Sequence, residues 1–353
     1  MAPVVQALTR TPGVESFVCA TAQHREMLDQ VLELFAIQPD VDLDLMQPDQ
    51  SLAQLTAALF TKLDPVLEDL RPDWVLAQGD TTTVMATALL AYYRRIRFGH
   101  VEAGLRTGDK YQPFPEEINR RVSAVAADLH FAPTETSRQN LLRENVPAEQ
   151  IVVTGNPVID ALRQVAAKEP TAAIKELLAS LGNSRVVLVT AHRRENFGQP
   201  LKNICLALKN LAEHYGSEVQ IVYPVHLNPN VKNSVYPLLE QVPNISLLPP
   251  LDYLPMVHMI KRATLVLTDS GGLQEEAPGL GVPVLVMREL TERPEGLAAG
   301  TVRLVGTNTA RIVAETRRLL DNPAEHAKMA RAVNPYGDGH AAERIVKAVL
   351  QYR

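Results

Sequence analysis

The 353-residue chain sets 35 Lys and Arg against 40 Asp and Glu, a formal charge of −5, so its overall field does not favour nucleic acid and any anionic ligand must be held locally. Hydrophobic residues make up 46% and charged residues 21%, with a mean hydropathy of −0.06, and no stretch nears the roughly 20 apolar residues of a membrane helix. The length exceeds one ordinary core and points to two domains.

Met1 to Arg10 reads as a helix with neither a basic n-region nor a signal core, and Cys19 and Cys205 lack the spacing of a metal or redox pair. A cytoplasmic location, with both cysteines as small buried hydrophobes, is the expectation. Apolar runs then alternate with helical patterns. Residues 17–20, 74–77, 98–101, 129–131 and 151–153 form a first series of buried strands; residues 186–189, 219–222, 245–248, 264–267 and 282–285 form a second. Strands separated by helical spacers indicate βαβ units and parallel sheets, hence an α/β fold with two doubly wound domains. The expected division is 1–165 and 166–353, with the C-terminal helix, about 341–352, packing back on the first domain. In such folds ligands bind beyond the carboxyl ends of the strands, here in the cleft between domains.

After strand 74–77 comes Gln78-Gly79-Asp80-Thr81-Thr82-Thr83, which puts Asp80 at a strand end beside a helix start, where capping is the alternative to chemistry. Glu102 closes strand 98–101 and is followed by Ala103-Gly104-Leu105-Arg106. Pro115-Glu116-Glu117 offers two acids at a loop-to-helix junction, of which the helix dipole explains one. Beyond strand 186–189, His192-Arg193-Arg194-Glu195 presents an imidazole able to exchange a proton near neutral pH, and His226 ends another strand likewise. His24 is weaker evidence for a role. Thr268-Asp269-Ser270-Gly271-Gly272-Leu273-Gln274-Glu275-Glu276 follows a strand and opens a helix. Backbone N–H groups of Ser270, Gly271 and Gly272 suit a phosphate, Glu276 suits ribose hydroxyls, and Arg293 supplies a diphosphate cation. Neither a Walker A sequence nor a full G-x-G-x-x-G is present, which disfavours a nucleotide triphosphatase and a dinucleotide dehydrogenase.

Taken together, 78–81, 100–106, 115–117, 192–195, 269–272 and Glu292-Arg293-Pro294-Glu295 closely resemble the segments of the non-hydrolysing UDP-N-acetylglucosamine 2-epimerases, in the same order and over nearly the whole chain. The resemblance implies two Rossmann-like domains in the glycosyltransferase-B arrangement, a homodimer, no cofactor or metal, and no nucleic-acid or membrane partner. It implies reversible conversion of UDP-N-acetylglucosamine to UDP-N-acetylmannosamine, a nucleotide sugar of cell-surface polysaccharide biosynthesis, through 2-acetamidoglucal. Asp80, Glu102, Glu116 and His192 match the family's catalytic set; Ser270, Gly271, Gly272, Glu276 and Arg293 match its UDP ligands. Met256 falls where the family packs against uracil, and Gln23, Arg25 and His226 resemble the lining of a second, activating UDP-N-acetylglucosamine site.

The family begins with a buried strand and a Gly-Thr-Arg-Pro-Glu loop, whereas this sequence starts at Met1-Ala2-Pro3. The first strand of a doubly wound sheet is central, so its loss would leave backbone groups unpaired. An internal start within a longer reading frame is the expectation, an inactive chain the alternative. Rival readings are a hydrolysing relative that releases N-acetylmannosamine, a glycosyltransferase of the same architecture, and a non-catalytic UDP-sugar-binding module. The acid clusters at 80, 102 and 116 argue against the glycosyltransferase.

Overall fold

The computed structural model describes residues 1–21, 25–47 and 49–352. The chain packs as two units, Met1–Ala161 with Tyr336–Arg353, and Leu162–Pro335. The division thus runs through the helix Pro157–Ala166, a few residues before the expected boundary, and everything from Tyr336 onward packs with the first unit.

The first unit holds β1 (Cys19–Ala20), β2 (Val41–Asp42), β3 (Trp74–Gln78), β4 (Arg97–Val101), β5 (Leu129–Ala132) and β6 (Ile151–Val153). The last four make one parallel sheet in the order β3-β4-β5-β6, and β1 and β2 pair separately. The expected strand at 17–20 is shorter because Phe17 is exposed and only Cys19 and Ala20 pair. Val4 of the first helix (Ala2–Thr9) and Ile345 and Val349 of the last (Ala341–Gln351) bury against Val101, Leu129 and Phe131 of the sheet. That last helix is tied down by Asp160, whose carboxylate accepts N–H bonds from Ala341 at 3.1 Å and Ala342 at 2.8 Å, two of the donors a helix start leaves open. Gln78 pairs with Val101, so the loops that leave β3 and β4 emerge side by side.

The second unit is built on β7 (Arg185–Thr190), β8 (Val219–Pro224), β9 (Ile245–Leu248), β10 (Leu265–Thr268), β11 (Val284–Val286) and β12 (Val302–Leu304). Its strands lie parallel in the order β12-β11-β10-β7-β8-β9. Alternation puts Val187 and Val189 in one core and Val186 and Leu188 in the other, as a sheet covered on both faces requires. The order reverses between β7 and β10, where Thr190 and Thr268 are register partners joined by a 2.6 Å hydroxyl bond. Loops on either side of such a switch point diverge and leave a crevice at the strands' carboxyl ends. Among the described residues no helix is long and apolar enough to cross a membrane.

Candidate active site

In the first unit the turn after β3 depends on Gly79, at φ +88°. The cap of the next helix (Thr82–Arg94) is Thr81, whose hydroxyl accepts from Val84 N–H, so capping does not account for Asp80. Asp80 Oδ2 instead accepts from Arg120 Nε at 2.9 Å and lies 2.7 Å from Arg120 Nη2, while Asn119 Nδ2 donates to the Asp80 carbonyl at 2.9 Å. Arg120 and Asn119 belong to the helix Glu116–Ala126, so that helix start is pinned against the Asp80 turn.

Glu102, directly after β4, adopts φ +63°, a strained backbone for a side-chain-bearing residue. Its Oε2 accepts from Gln78 Nε2 at 3.0 Å. Gly79 lies alongside that carboxylate: a Cβ there would stand 4.0 Å from the same oxygen, an ordinary contact, so it is the positive φ that calls for glycine. The two acids at 116–117 have separate fates. Glu117 is fully buried and accepts from Thr107 N at 3.1 Å, Gly108 N at 3.2 Å, Arg120 Nη1 at 3.2 Å and Arg121 Nη2 at 3.4 Å. Burial alone would raise its pKa, but these donors outweigh it and hold the carboxyl below its ordinary range. Glu116 keeps a buried Oε2 that has no hydrogen-bond partner among the described residues. His100, fully buried on β4, bonds the Gly79 carbonyl through Nε2 at 2.8 Å, and burial pushes its pKa down to about 4, so it braces the turn as a neutral ring.

Gly104, two residues past Glu102, has φ +91°, and a Cβ there would lie 2.3 Å from the Ser137 carbonyl oxygen. Backbone cannot yield as a side chain can. Gly104→Ala is therefore expected to destabilise the protein by about 2–4 kcal/mol in urea unfolding, and an unchanged midpoint would contradict the contact.

In the second unit, Asp269 after β10 is fully buried and organises the loop after β7. Its Oδ2 accepts from His192 N at 2.8 Å, Arg193 N at 2.8 Å and Asn196 Nδ2 at 3.0 Å. The His192 ring stacks on His226, with centroids 5.4 Å apart and planes 16° from parallel. Burial lowers the His192 pKa, with His226 and Arg193 acting in the same sense and Asp269 opposing.

The helix Gly271–Gly279 starts after Ser270 without a side-chain cap. Ser270 departs from the expectation of three bare N–H groups: its N–H donates to Thr268 Oγ1 at 2.9 Å, which leaves its hydroxyl and the N–H groups of Gly271 and Gly272 for a ligand. A Cβ at Gly271 would meet Glu292 Oε1 at 3.2 Å, Arg193 Nη2 at 3.6 Å and Arg293 Cζ at 3.6 Å, so these charged side-chain ends gather close over the helix start. Glu292 sits among the cations, 2.7 Å from Arg288 Nη1, 3.6 Å from Arg193 Nη2 and 3.8 Å from Arg293 Nη1. Arg293 is oriented by Glu275, 2.6 Å from its Nε. Glu276 is almost wholly buried and accepts from the Tyr253 hydroxyl at 3.2 Å; burial and the neighbouring Glu275 push its pKa up to about 7. Met256 lies one helical turn from Tyr253 and is half-buried against the core cluster of Met259 and Leu273.

Of the residues assigned to a second site, Arg25 forms exposed ion pairs with Asp29 and Asp42, His226 stacks on His192, and Gln23 lies outside the described residues. Gln78, Arg120, Asn119, His100, Asp269 and Tyr253 were given no role from the sequence; Gln78, His100 and Asp269 lie inside motifs noted there, whereas Arg120, Asn119 and Tyr253 do not.

Parallel α/β units with an anion-suited helix start at a strand-order reversal define a nucleotide-binding class of protein. A family model described as UDP-N-acetylglucosamine 2-epimerase matches residues 6–350. The UDP-N-acetylglucosamine 2-epimerase of Salmonella typhimurium is 56% identical over 359 residues, covering 100% of this chain and 95% of the relative. That of Escherichia coli K12 is 54% identical over 361 residues, with the same coverage. The crystal structure of the Neisseria meningitidis UDP-GlcNAc 2-epimerase bound to UDP-GlcNAc superposes with a TM-score of 0.90 at 49% identity, covering 100% of this chain and 96% of that one. The chain belongs to the UDP-N-acetylglucosamine 2-epimerase family.

Proposed function

We propose that the protein interconverts UDP-N-acetylglucosamine and UDP-N-acetylmannosamine, retaining UDP on the sugar. The observation that carries this reading is the match to 2-epimerases along the full chain, 56% identical in the first case. The C2 hydrogen is not acidic in the resting sugar, because no carbonyl adjoins it on the ring. As the C1–O bond to UDP breaks, oxocarbenium character at C1 acidifies C2–H. A carboxylate takes that proton and 2-acetamidoglucal forms. UDP then returns to C1 while a proton reaches C2 from the opposite face.

Side-chain roles are taken from the family resemblance, with the local geometry as support. Asp80 is held by Arg120 as a fixed carboxylate, which leaves proton carriage to Glu102 and Glu116. The Ser270 hydroxyl, the N–H groups of Gly271 and Gly272, and Arg293 carry the charge of departing UDP. Glu276 takes the ribose hydroxyls, Met256 packs on uracil, and His192 exchanges a proton during departure and return. Arg25 and His226 remain assigned to an activating site, and the working assembly to a homodimer. Purified protein incubated with UDP-N-acetylglucosamine is expected to yield UDP-N-acetylmannosamine. Free N-acetylmannosamine with UDP would instead establish the hydrolysing reaction, and binding without turnover a non-catalytic module.

Glu276 brings a pH dependence. Its pKa of about 7 keeps it protonated below neutrality in the free protein. Hydroxyls that donate to the carboxylate favour the ionised form, so UDP affinity is expected to rise as pH climbs through about 7. Calorimetric titration across that window should show the rise, and Glu276→Gln should flatten it. The same slope in the variant would remove Glu276 from the ribose contact.

A further inference from the structure

We infer that Asp269 is a positioning residue for His192, fixing the imidazole proton on Nδ1 and leaving Nε2 as the basic nitrogen. The inference rests on the reading of His192 as a proton-exchanging group.

Asp269 is anchored on every side but one. Its backbone N–H donates to the Thr190 carbonyl at 3.1 Å, continuing the ladder between β10 and β7. The three donors at Oδ2 fix the plane of the carboxylate, and Asn196 is itself fixed by a second bond to the Met287 carbonyl at 3.2 Å. Oδ1 is different: it is buried and, among the described residues, has no hydrogen-bond partner. A buried carboxylate oxygen without a donor is costly, and such atoms are rare unless they serve a purpose. The basic group beside it is the His192 ring, with Nδ1 at 3.6 Å. With the proton on Nδ1, a closure of about half an ångström completes a charge-assisted hydrogen bond. With the proton on Nε2, two lone pairs would face each other in a buried site. His226, stacked on the ring face, restricts rotation away from that alignment. The charged and titratable groups facing the ring are Asp269, His226 and Arg193, and of these Asp269 favours the protonated imidazole. An acid that sets the tautomer of a working histidine acts through orientation, without itself changing protonation.

The test is Asp269→Asn, followed by nitrogen-15 NMR of the imidazole, with His192 assigned by the signals lost in His192→Gln. The carboxamide oxygen has to stand where Oδ2 stood to satisfy the three donors. Its NH2 then points at Nδ1 and demands the opposite tautomer. The wild-type ring is expected to carry its proton on Nδ1 and the variant ring on Nε2. The His192 pKa should fall in the variant, because the carboxylate that raised it is gone. Turnover should drop at least about 100-fold with KM changed less than about threefold. A wild-type ring protonated on Nε2, or an unchanged tautomer in the variant, overturns the inference, and the wild-type spectrum decides the first point even if the variant does not fold. A switched tautomer with unchanged turnover overturns the functional role of the pair. Because the spectra need no substrate, an inactive wild type with the expected tautomer would count against the proposed reaction and leave the pairing standing.

Discussion

Glu102→Gln is expected to reduce turnover by about 100- to 10,000-fold, with the affinity for UDP changed less than about threefold. The substitution keeps length and shape, and glutamine meets the same backbone demand at φ +63° that glutamate already tolerates. Its amide oxygen can still accept from Gln78, which stands 3.0 Å from Glu102 Oε2. What disappears is a group able to take a proton from carbon, a step worth several powers of ten in rate. Steady-state kinetics beside UDP titration separate the two quantities. Loss of UDP affinity in the same proportion would show that Glu102 maintains the fold instead.

Glu117, beside Glu116 at the start of its helix, carries the larger structural consequence. Glu117→Ala is expected to cost about 3–5 kcal/mol of stability, because removing one partner of a buried ion pair strands the other. The Arg120 side chain is only 9% exposed and, among the described residues, would keep only Asp80 as a charge partner, while Thr107 and Gly108 lose the acceptor of their N–H groups. Since the folded-state pKa of Glu117 lies below its ordinary value, the stabilisation is present above the ordinary carboxylate range and is lost as pH falls through the folded pKa. The gap between wild type and variant in urea unfolding should therefore hold steady from pH 8 to about pH 5 and shrink below about pH 4. Equal midpoints at pH 7 would contradict the buried network.

Much of this architecture was legible in the sequence for one physical reason. Parallel strands covered on both faces must be continuous apolar runs, and Val186 to Val189 or Leu265 to Leu267 can hardly be anything else. Very short strands escaped that signal. Val41–Asp42 lies in an acidic alternation and Val302–Leu304 is interrupted by Arg303, and neither is long enough to show a period. Edges shifted where backbone bonding decides them. Pro283 is the second residue of the expected strand at 282–285 and has no N–H, so pairing begins at Val284 while the Pro283 carbonyl still accepts from Val266 at 3.0 Å.

Of the site, sequence showed the acids and the glycine-rich helix start, because residue types at strand ends advertise themselves. It did not show what holds them. Arg120 reaches Asp80 across 40 positions of chain, and Tyr253 reaches Glu276 across 23, so these partnerships exist only once the sheets have formed. The choice between Glu116 and Glu117 was likewise tertiary: both start the same helix, and the loop N–H groups of Thr107 and Gly108 bind one of them. Asp269 stood inside a recognised motif, yet its purpose became visible only when the loop after β7 folded over it.

Epimerisation of UDP-N-acetylglucosamine in deuterated water, followed by NMR at the sugar C2 position, tests the proposed chemistry at its reacting bond. Deuterium at C2 in both epimers is the predicted result, since each passage through 2-acetamidoglucal replaces the original hydrogen with one from solvent. Interconversion of the two sugars with C2 still carrying its original hydrogen would contradict removal of that proton by the carboxylates.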